Sequence, residues 1–304
     1  EFAYFRINNK FSILTARHFT PFSLNLRGKL VEFSRQQVMG IINVTPDSFY
    51  SGSRTQSHDD IALKAKKMLD EGADWLDLGA YSTRPGADDV TPAEEIERLR
   101  TGMRAIRSVA PDAIVSIDTF RADVALQAVE ELGADMINDI SGGLLDDDMP
   151  STIAKLKVPY VLMHTRGTPA TMQQLTDYRD VTGDVLAELA RRIDIFGMAG
   201  VNDIIVDPGF GFAKTVEQNY RLLRDLEAFH VFERPLLVGV SRKSMIYRTF
   251  GTTPDEALNG TTVINTIALM AGASVLRVHD AKEAAEAVKI VELTYNDKTW
   301  LHLE

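Results

Sequence analysis

A chain of 304 residues and 33.7 kDa, 45% hydrophobic and 25% charged, can bury a substantial core, and these proportions exclude the disordered and fibrous classes. Its 33 basic and 43 acidic residues give a formal charge of -10 with no block of Lys or Arg, which argues against nucleic acid or an anionic membrane as the main partner. It has no cysteine, so neither a disulfide framework nor thiolate chemistry is available, which fits a cytoplasmic setting.

Residues 1–36 stand apart from the rest of the chain. Short alternating pieces, FSLNL and KLVEF, flank Arg27-Gly28-Lys29 and predict an N-terminal β-hairpin, of the kind that covers the bottom of a barrel. The chain opens on Glu rather than Met, which reads as a trimmed start, and residues 297–304 read as a C-terminal tail whose last two residues, Leu303-Glu304, read as a cloning remnant. No basic stretch leads into an apolar core near the N-terminus, so no signal peptide is expected. The segment Val263–Leu276 is broken by Asn265, Thr266 and Ser274 and is too short to span a bilayer.

From Gln37 onward, strands and helices alternate. Short apolar runs predict strands at Val38–Val44, Asp74–Tyr81, Ala113–Thr119, Asp135–Ser141, Tyr160–Thr165, Asp203–Pro208, Pro235–Ser241 and Ser274–His279. Between them, Asp59–Asp70, Pro92–Val109, Ala122–Leu132 and Val181–Met198 carry apolar residues at helical spacing. Thr91-Pro92 with Glu94 marks a helix start, and Gly72 and Gly133 mark helix stops. One helix per connection and a last one at Ala281–Glu292 make the pattern of a single (β/α)8 TIM barrel over 37–296, one domain below its hairpin. An open doubly wound sheet is the rival, but the Gly-rich first turn it needs is missing.

In such a barrel the chemistry gathers at the C-terminal ends of the strands. The polar residues there are Asn43, Asp77, Asp118, Asn138 with Asp139, His164, Asp207, Lys243, and Arg277 with His279. Buried charges are costly in isolation, so their convergence on one rim predicts an active site. A carboxylate such as Asp207 can accept two parallel hydrogen bonds from the ring N–H and exocyclic amine of an amino-heterocycle. Asp118 and Asn138 add acceptors and an amide, and Lys243 adds a donor; together they suit a flat, nitrogen-rich ring. Arg277 and His279 lie two apart on one strand and with Asn43 suit a phosphate group, aided by a metal. The plainer reading of Arg277 is an ion pair with Asp280 or Glu283. His164 is expected to be satisfied by backbone, and Asp146-Asp147-Asp148 to start a helix rather than bind metal.

These segments, GIINVTPDSF at Gly40–Phe49, STRPGA at Ser82–Ala87, VSIDT at Val115–Thr119, INDISGG at Ile137–Gly143, DPGFGF at Asp207–Phe212, GVSRKS at Gly239–Ser244 and RVHD at Arg277–Asp280, closely resemble the dihydropteroate synthase family, and in its order. The resemblance implies a pterin-binding barrel of folate synthesis that joins a hydroxymethyl-dihydropterin pyrophosphate to 4-aminobenzoate. It implies a pterin pocket of Asp118, Asn138, Asp207 and Lys243, a pyrophosphate site of Asn43, Arg84, Arg277 and His279 with Asp77 nearby, and Mg²⁺ held through Asn43. Phe49, Thr83, Pro85 and Ser244 would hold the aminobenzoate, and Lys243, Asp118 and Arg277 would carry the chemistry. A homodimer through late barrel helices is implied as well. Tyr81 and Thr165-Arg166 depart from the usual family residues, an acid and Met-Gln. Two alternatives share the ring pocket: a methyltetrahydrofolate-dependent methyltransferase and a non-catalytic pterin-binding relative.

Overall fold

The structure, a computed structural model, describes residues 19–44, 58–81 and 90–295. An antiparallel hairpin, β1 (Phe22–Leu26) and β2 (Lys29–Phe33), precedes eight parallel strands. These are β3 (Gln37–Asn43), β4 (Trp75–Gly79), β5 (Ile114–Asp118), β6 (Met136–Asp139), β7 (Tyr160–Met163), β8 (Ile204–Asp207), β9 (Leu237–Val238) and β10 (Val275–Val278). They pair in the order β8-β7-β6-β5-β4-β3-β10-β9, and a parallel bridge from Val206 to Leu236 joins the two ends into a ring. The Val206 amide donates to the Pro235 carbonyl at 2.9 Å across that seam.

Nine helices surround the ring among the described residues: α1 (His58–Asp70), α2 (Pro92–Val109), α3 (Ala122–Glu130), α4 (Met149–Leu156), α5 (Val181–Ala199), α6 (Val216–Arg224), α7 (Ser244–Phe250), α8 (Leu258–Met270) and α9 (Ala281–Tyr295). Thr91 caps α2 as expected, its hydroxyl accepting from the Glu94 amide at 3.2 Å. The β9–β10 connection departs from the expected single helix and carries two. Gly251, at φ +63°, ends α7 in a left-handed turn, and Thr253-Pro254 begin a fresh turn before α8.

Strand alternation decides where the site lies. The inward side chains at the strand starts, Met39, Trp75, Met136, Val161, Ile205, Leu237 and Val275, form one dry cluster with Leu24, Leu26 and Phe33 of the hairpin. The hairpin thus closes the bottom of the barrel, Phe33 meeting Trp75 edge to face at 5.1 Å. Arg27 at its turn reaches Asp135 at 2.8 Å. Two residues further along the same strands, the inward positions turn polar: Asp77, Ser116, Asn138, Asp207 and Arg277. Asp77 and Ser116 are register partners, whereas Asn138 pairs with Asp118, Asp207 with Met163 and Arg277 with Met39, so the layer is staggered around the ring as a closed barrel requires.

Candidate active site

Arg277 organises the polar layer. Its Nε donates to Asp77 Oδ2 at 2.6 Å, and its Nη2 donates to Asp118 Oδ2 at 2.7 Å. Asn138 Nδ2 donates to the same Asp77 oxygen at 3.0 Å. Two carboxylates therefore share one guanidinium on the floor of the mouth, and the pairing runs across the barrel rather than to Asp280 or Glu283. Asp280 is bound instead to Arg242, through two contacts of 2.8 Å. Among the described residues, the other oxygen of Asp77, Oδ1, has no hydrogen-bond partner. Burial pushes the Asp118 carboxyl above its usual range while Arg277 pulls it down and Asp77 raises it again. Although burial works against its charge, Arg277 is held firmly protonated by Asp77 and Asp118.

Asp207 ends β8 and Lys243 follows the adjacent β9, at the same mouth. Burial raises Asp207, and Lys243 opposes that shift. Burial pushes the Lys243 ammonium down to about 8, with Asp207 holding it up. Lys243 donates to the Phe210 carbonyl, and its Nζ lies 4.7 Å from the centre of the Phe212 ring. Asp207 accepts from the Gly209 amide at 2.7 Å, so the loop after β8 is tied to both charges. Asn43 caps β3, its Oδ1 3.5 Å from where a Gly79 side chain would start, beside Asp118. Ser244 opens α7 directly after Lys243. His279 is exposed at the rim, its Nδ1 3.1 Å from Ser241 Oγ.

Not every polar strand end converges. Asp139 and His164 follow inward residues by one position and point outward, as a period of two requires. Asp139 accepts from the Ser141 and Gly143 amides at 2.7 and 2.9 Å and from the Tyr160 hydroxyl at 2.6 Å, which makes it a loop anchor. His164 is held by side chains, not backbone: Lys214 Nζ at 2.9 Å and Glu188 Oε2 at 2.9 Å. The Asp146–Asp148 run leads into α4, with Asp148 at its N-cap; Asp146 Oδ1 accepts from the Asp148 amide at 3.0 Å, and its Oδ2 accepts from the Ala122 amide at the start of α3 at 2.7 Å. Lys214 and Glu188 are functional candidates that no sequence motif singles out. The available signal for Lys214 is a lysine just past the Gly-rich loop, one position before the Thr215 cap of α6. Phe49, Thr83, Arg84 and Pro85 lie outside the described residues.

A cavity of about 480 Å³ opens between β7 and α5, lined in part by Leu144, Met163, Arg166, Arg192 and Ile195. It shares no residue with the Asp77–Arg277 cluster, so the polar mouth is a separate place. Among the described residues no group of three or more His, Asp and Glu is poised for a metal, and no helix is long and apolar enough to cross a membrane.

The mouth can therefore hold a planar donor–acceptor ring against buried carboxylates and present a cation to an anionic substituent. Comparison with known proteins agrees. The pterin binding enzyme family matches residues 39–279. The dihydropteroate synthase of Synechocystis is 44% identical over 261 residues, 85% of this chain and 90% of that protein. The Escherichia coli K12 dihydropteroate synthase is 40% identical over 274 residues, 90% of this chain and 96% of that protein. A Xanthomonas albilineans dihydropteroate synthase solved with 4-aminobenzoic acid superposes with a TM-score of 0.83 at 34% identity, covering 91% of this chain and 99% of that one.

Proposed function

The chain belongs to the pterin-binding enzymes as one of their dihydropteroate synthases, and from that premise we propose how its rim carries the reaction. The reaction joins 6-hydroxymethyl-7,8-dihydropterin pyrophosphate to 4-aminobenzoate and yields 7,8-dihydropteroate and pyrophosphate. The observation that carries the residue assignment is the Arg277 guanidinium shared between Asp77 and Asp118, with Asn138 on the same carboxylate. It supports a slot in which Asp207, Asn138 and Asp118 receive the pterin edge while Lys243 donates to it.

In this reading Arg277 holds the diphosphate at the ring's methylene end, with Asn43 and His279 beside it. The C–O bond to the diphosphate breaks ahead of attack, because the electron-rich ring stabilises the cationic carbon. The amine of 4-aminobenzoate then forms the C–N bond and loses its proton to the departing diphosphate or to water. A neutral arylamine is already nucleophilic, so no strong base is required, and positioning with charge neutralisation supplies most of the effect. Ser244, at the start of α7, meets the aminobenzoate carboxylate, Phe49, Thr83 and Pro85 complete that side, and Arg84 belongs with the pyrophosphate.

Asn43 fits the part of a lone protein ligand to Mg²⁺: its carboxamide oxygen lies over Gly79, which has no side chain, and beside Asp118. Diphosphate oxygens and water would fill the remaining positions, and the ion would neutralise leaving charge. We also read the protein as a homodimer.

Mixing the two substrates and measuring pyrophosphate release tests the whole reading; no release, with methylation of a corrinoid acceptor instead, would give the methyltransferase its place.

A further inference from the structure

We propose that Lys214 is a positioning residue for the ring site: its ammonium fixes the backbone of Gly209–Phe212, and that backbone fixes Lys243. The inference rests on the synthase reading for what Lys243 does, and on geometry alone for how Lys243 is held.

Lys214 is 4% exposed and lies directly after the loop it serves. Its Nζ donates to Gly209 O at 2.9 Å and to Phe212 O at 3.0 Å, and lies 2.9 Å from His164 Nδ1. An ammonium has three donors, and three acceptors are present. With two carbonyls of the loop turned down onto Lys214, the Phe210 carbonyl between them is turned out to Lys243. The Gly211 amide is pinned by Asn219 Oδ1 at 2.7 Å. A side chain on Gly209 would meet His164 O at 1.9 Å, so β7 and the loop are in direct contact.

The arrangement continues to the surface. If His164 Nδ1 accepts from the ammonium, its Nε2 must carry the proton and donate to Glu188. Burial, assisted by Lys214, pushes His164 down to about 4, in keeping with a neutral ring. Partial burial works against the Glu188 charge, yet hydrogen bonds from His164 and Arg166 hold it down to about 2. Arg166, one of the departures from the family pattern, also donates to Asp177 O at 2.6 Å and stacks on Tyr178 at 3.8 Å. Burial pushes Lys214 itself down to about 7; the charges facing it are Asp207, Lys243, Glu188 and Arg166, with the neutral His164 ring.

The test separates the loop from the reaction. Lys214→Met removes the ammonium and keeps the stem. Expected in the substrate-free protein is faster amide hydrogen exchange at Gly211 and Phe212. In turnover, KM for the pterin pyrophosphate should rise about tenfold or more while KM for 4-aminobenzoate stays put, the cost expected when buried carbonyls lose a charged donor. His164→Asn, whose side-chain oxygen falls where Nδ1 accepted, should stay near wild type, whereas His164→Gln, which reaches the Nε2 position, should reproduce the loss. If Lys214→Met does not fold, the His164 pair decides alone. Wild-type exchange and pterin KM in Lys214→Met, or indistinguishable Asn and Gln variants, would overturn the inference. A wild-type protein without turnover would instead remove the synthase reading, and the exchange measurement would still decide the loop.

Discussion

Two carboxylates and one guanidinium leave the floor of the site with a net negative charge, and Arg277 is what makes that arrangement tolerable. Arg277→Met removes it while keeping an apolar stem, so Asp77 and Asp118 face each other without a cation between them. Removing one partner of a buried pair costs about 3–5 kcal/mol, and a loss of stability of that order, with a lower Tm, is expected for the ligand-free protein. The pH dependence has a definite sign. Arg277 holds Asp118 down against burial, so in the variant the folded-state pKa of Asp118 rises further. A carboxyl raised in the folded state stabilises below its unfolded value and loses that contribution as pH climbs through the folded one. The variant's deficit should therefore grow from pH 5 to pH 8; a deficit independent of pH would remove Asp118 from the account. Asp207→Asn should weaken binding of a free pterin by about a hundredfold, since a charged acceptor of two hydrogen bonds becomes a mixed donor and acceptor; calorimetric titration checks this. These inward residues were legible in the sequence because each follows or interrupts an apolar run. What the sequence hid was orientation: Asp139 and His164 read the same way as Asn138 and Asp207, and only strand phase turns them outward.

Elements carry that orientation. The eight strands were legible because strands buried on both faces are nearly unbroken apolar runs, and all eight appear within a few residues of their expected spans. The largest shortfall is β9, expected over Pro235–Ser241 and observed over Leu237–Val238. There the chain curls into a turn, Lys243 N donating to Val240 O at 3.1 Å, to bring Lys243 and Ser244 over the mouth. The position of α7 is in turn set by α8. A side chain on Gly260 would lie 2.4 Å from the Ile246 methyl Cγ2 and 3.1 Å from the Phe250 ring. Intrinsic helix preference favours Gly→Ala by about 1 kcal/mol. Ile246 is fully buried and β-branched, so it has nowhere to turn, and the overpacking cost of about 1–3 kcal/mol should win. Gly260→Ala is expected to lower Tm and, by displacing α7, to raise KM for both substrates; a variant stabilised by helix preference with unchanged KM would separate α7 placement from α8.

At the scale of the whole molecule the outer surface is uneven. Leu30, Met198 and Val231 stand exposed on separate elements, and isolated apolar residues of that kind are ordinary. The end of α7 and one side of α8 differ, because Phe250, Val263 and Ile267 are 64%, 51% and 43% exposed. Val263 and Ile267 are four apart on α8 and so share a face. Apolar area left in water costs about 25 cal/mol per Å², and a stable interface covers about 800 Å² on each partner. A two-fold contact through α7 and α8 would cover these side chains, and it would brace the helix that starts at Ser244, which would link assembly to the side of the site proposed for aminobenzoate. The expected state at micromolar concentration is therefore a dimer by sedimentation. Val263→Glu with Ile267→Glu should convert it to a monomer, because two carboxylates on that face repel their symmetry copies and cannot be desolvated cheaply. The monomer should keep its affinity for a free pterin, whose proposed partners Asp207 and Asn138 lie inside the barrel, and lose affinity for 4-aminobenzoate. A wild-type monomer, or a dimer indifferent to both substitutions, would move the interface elsewhere.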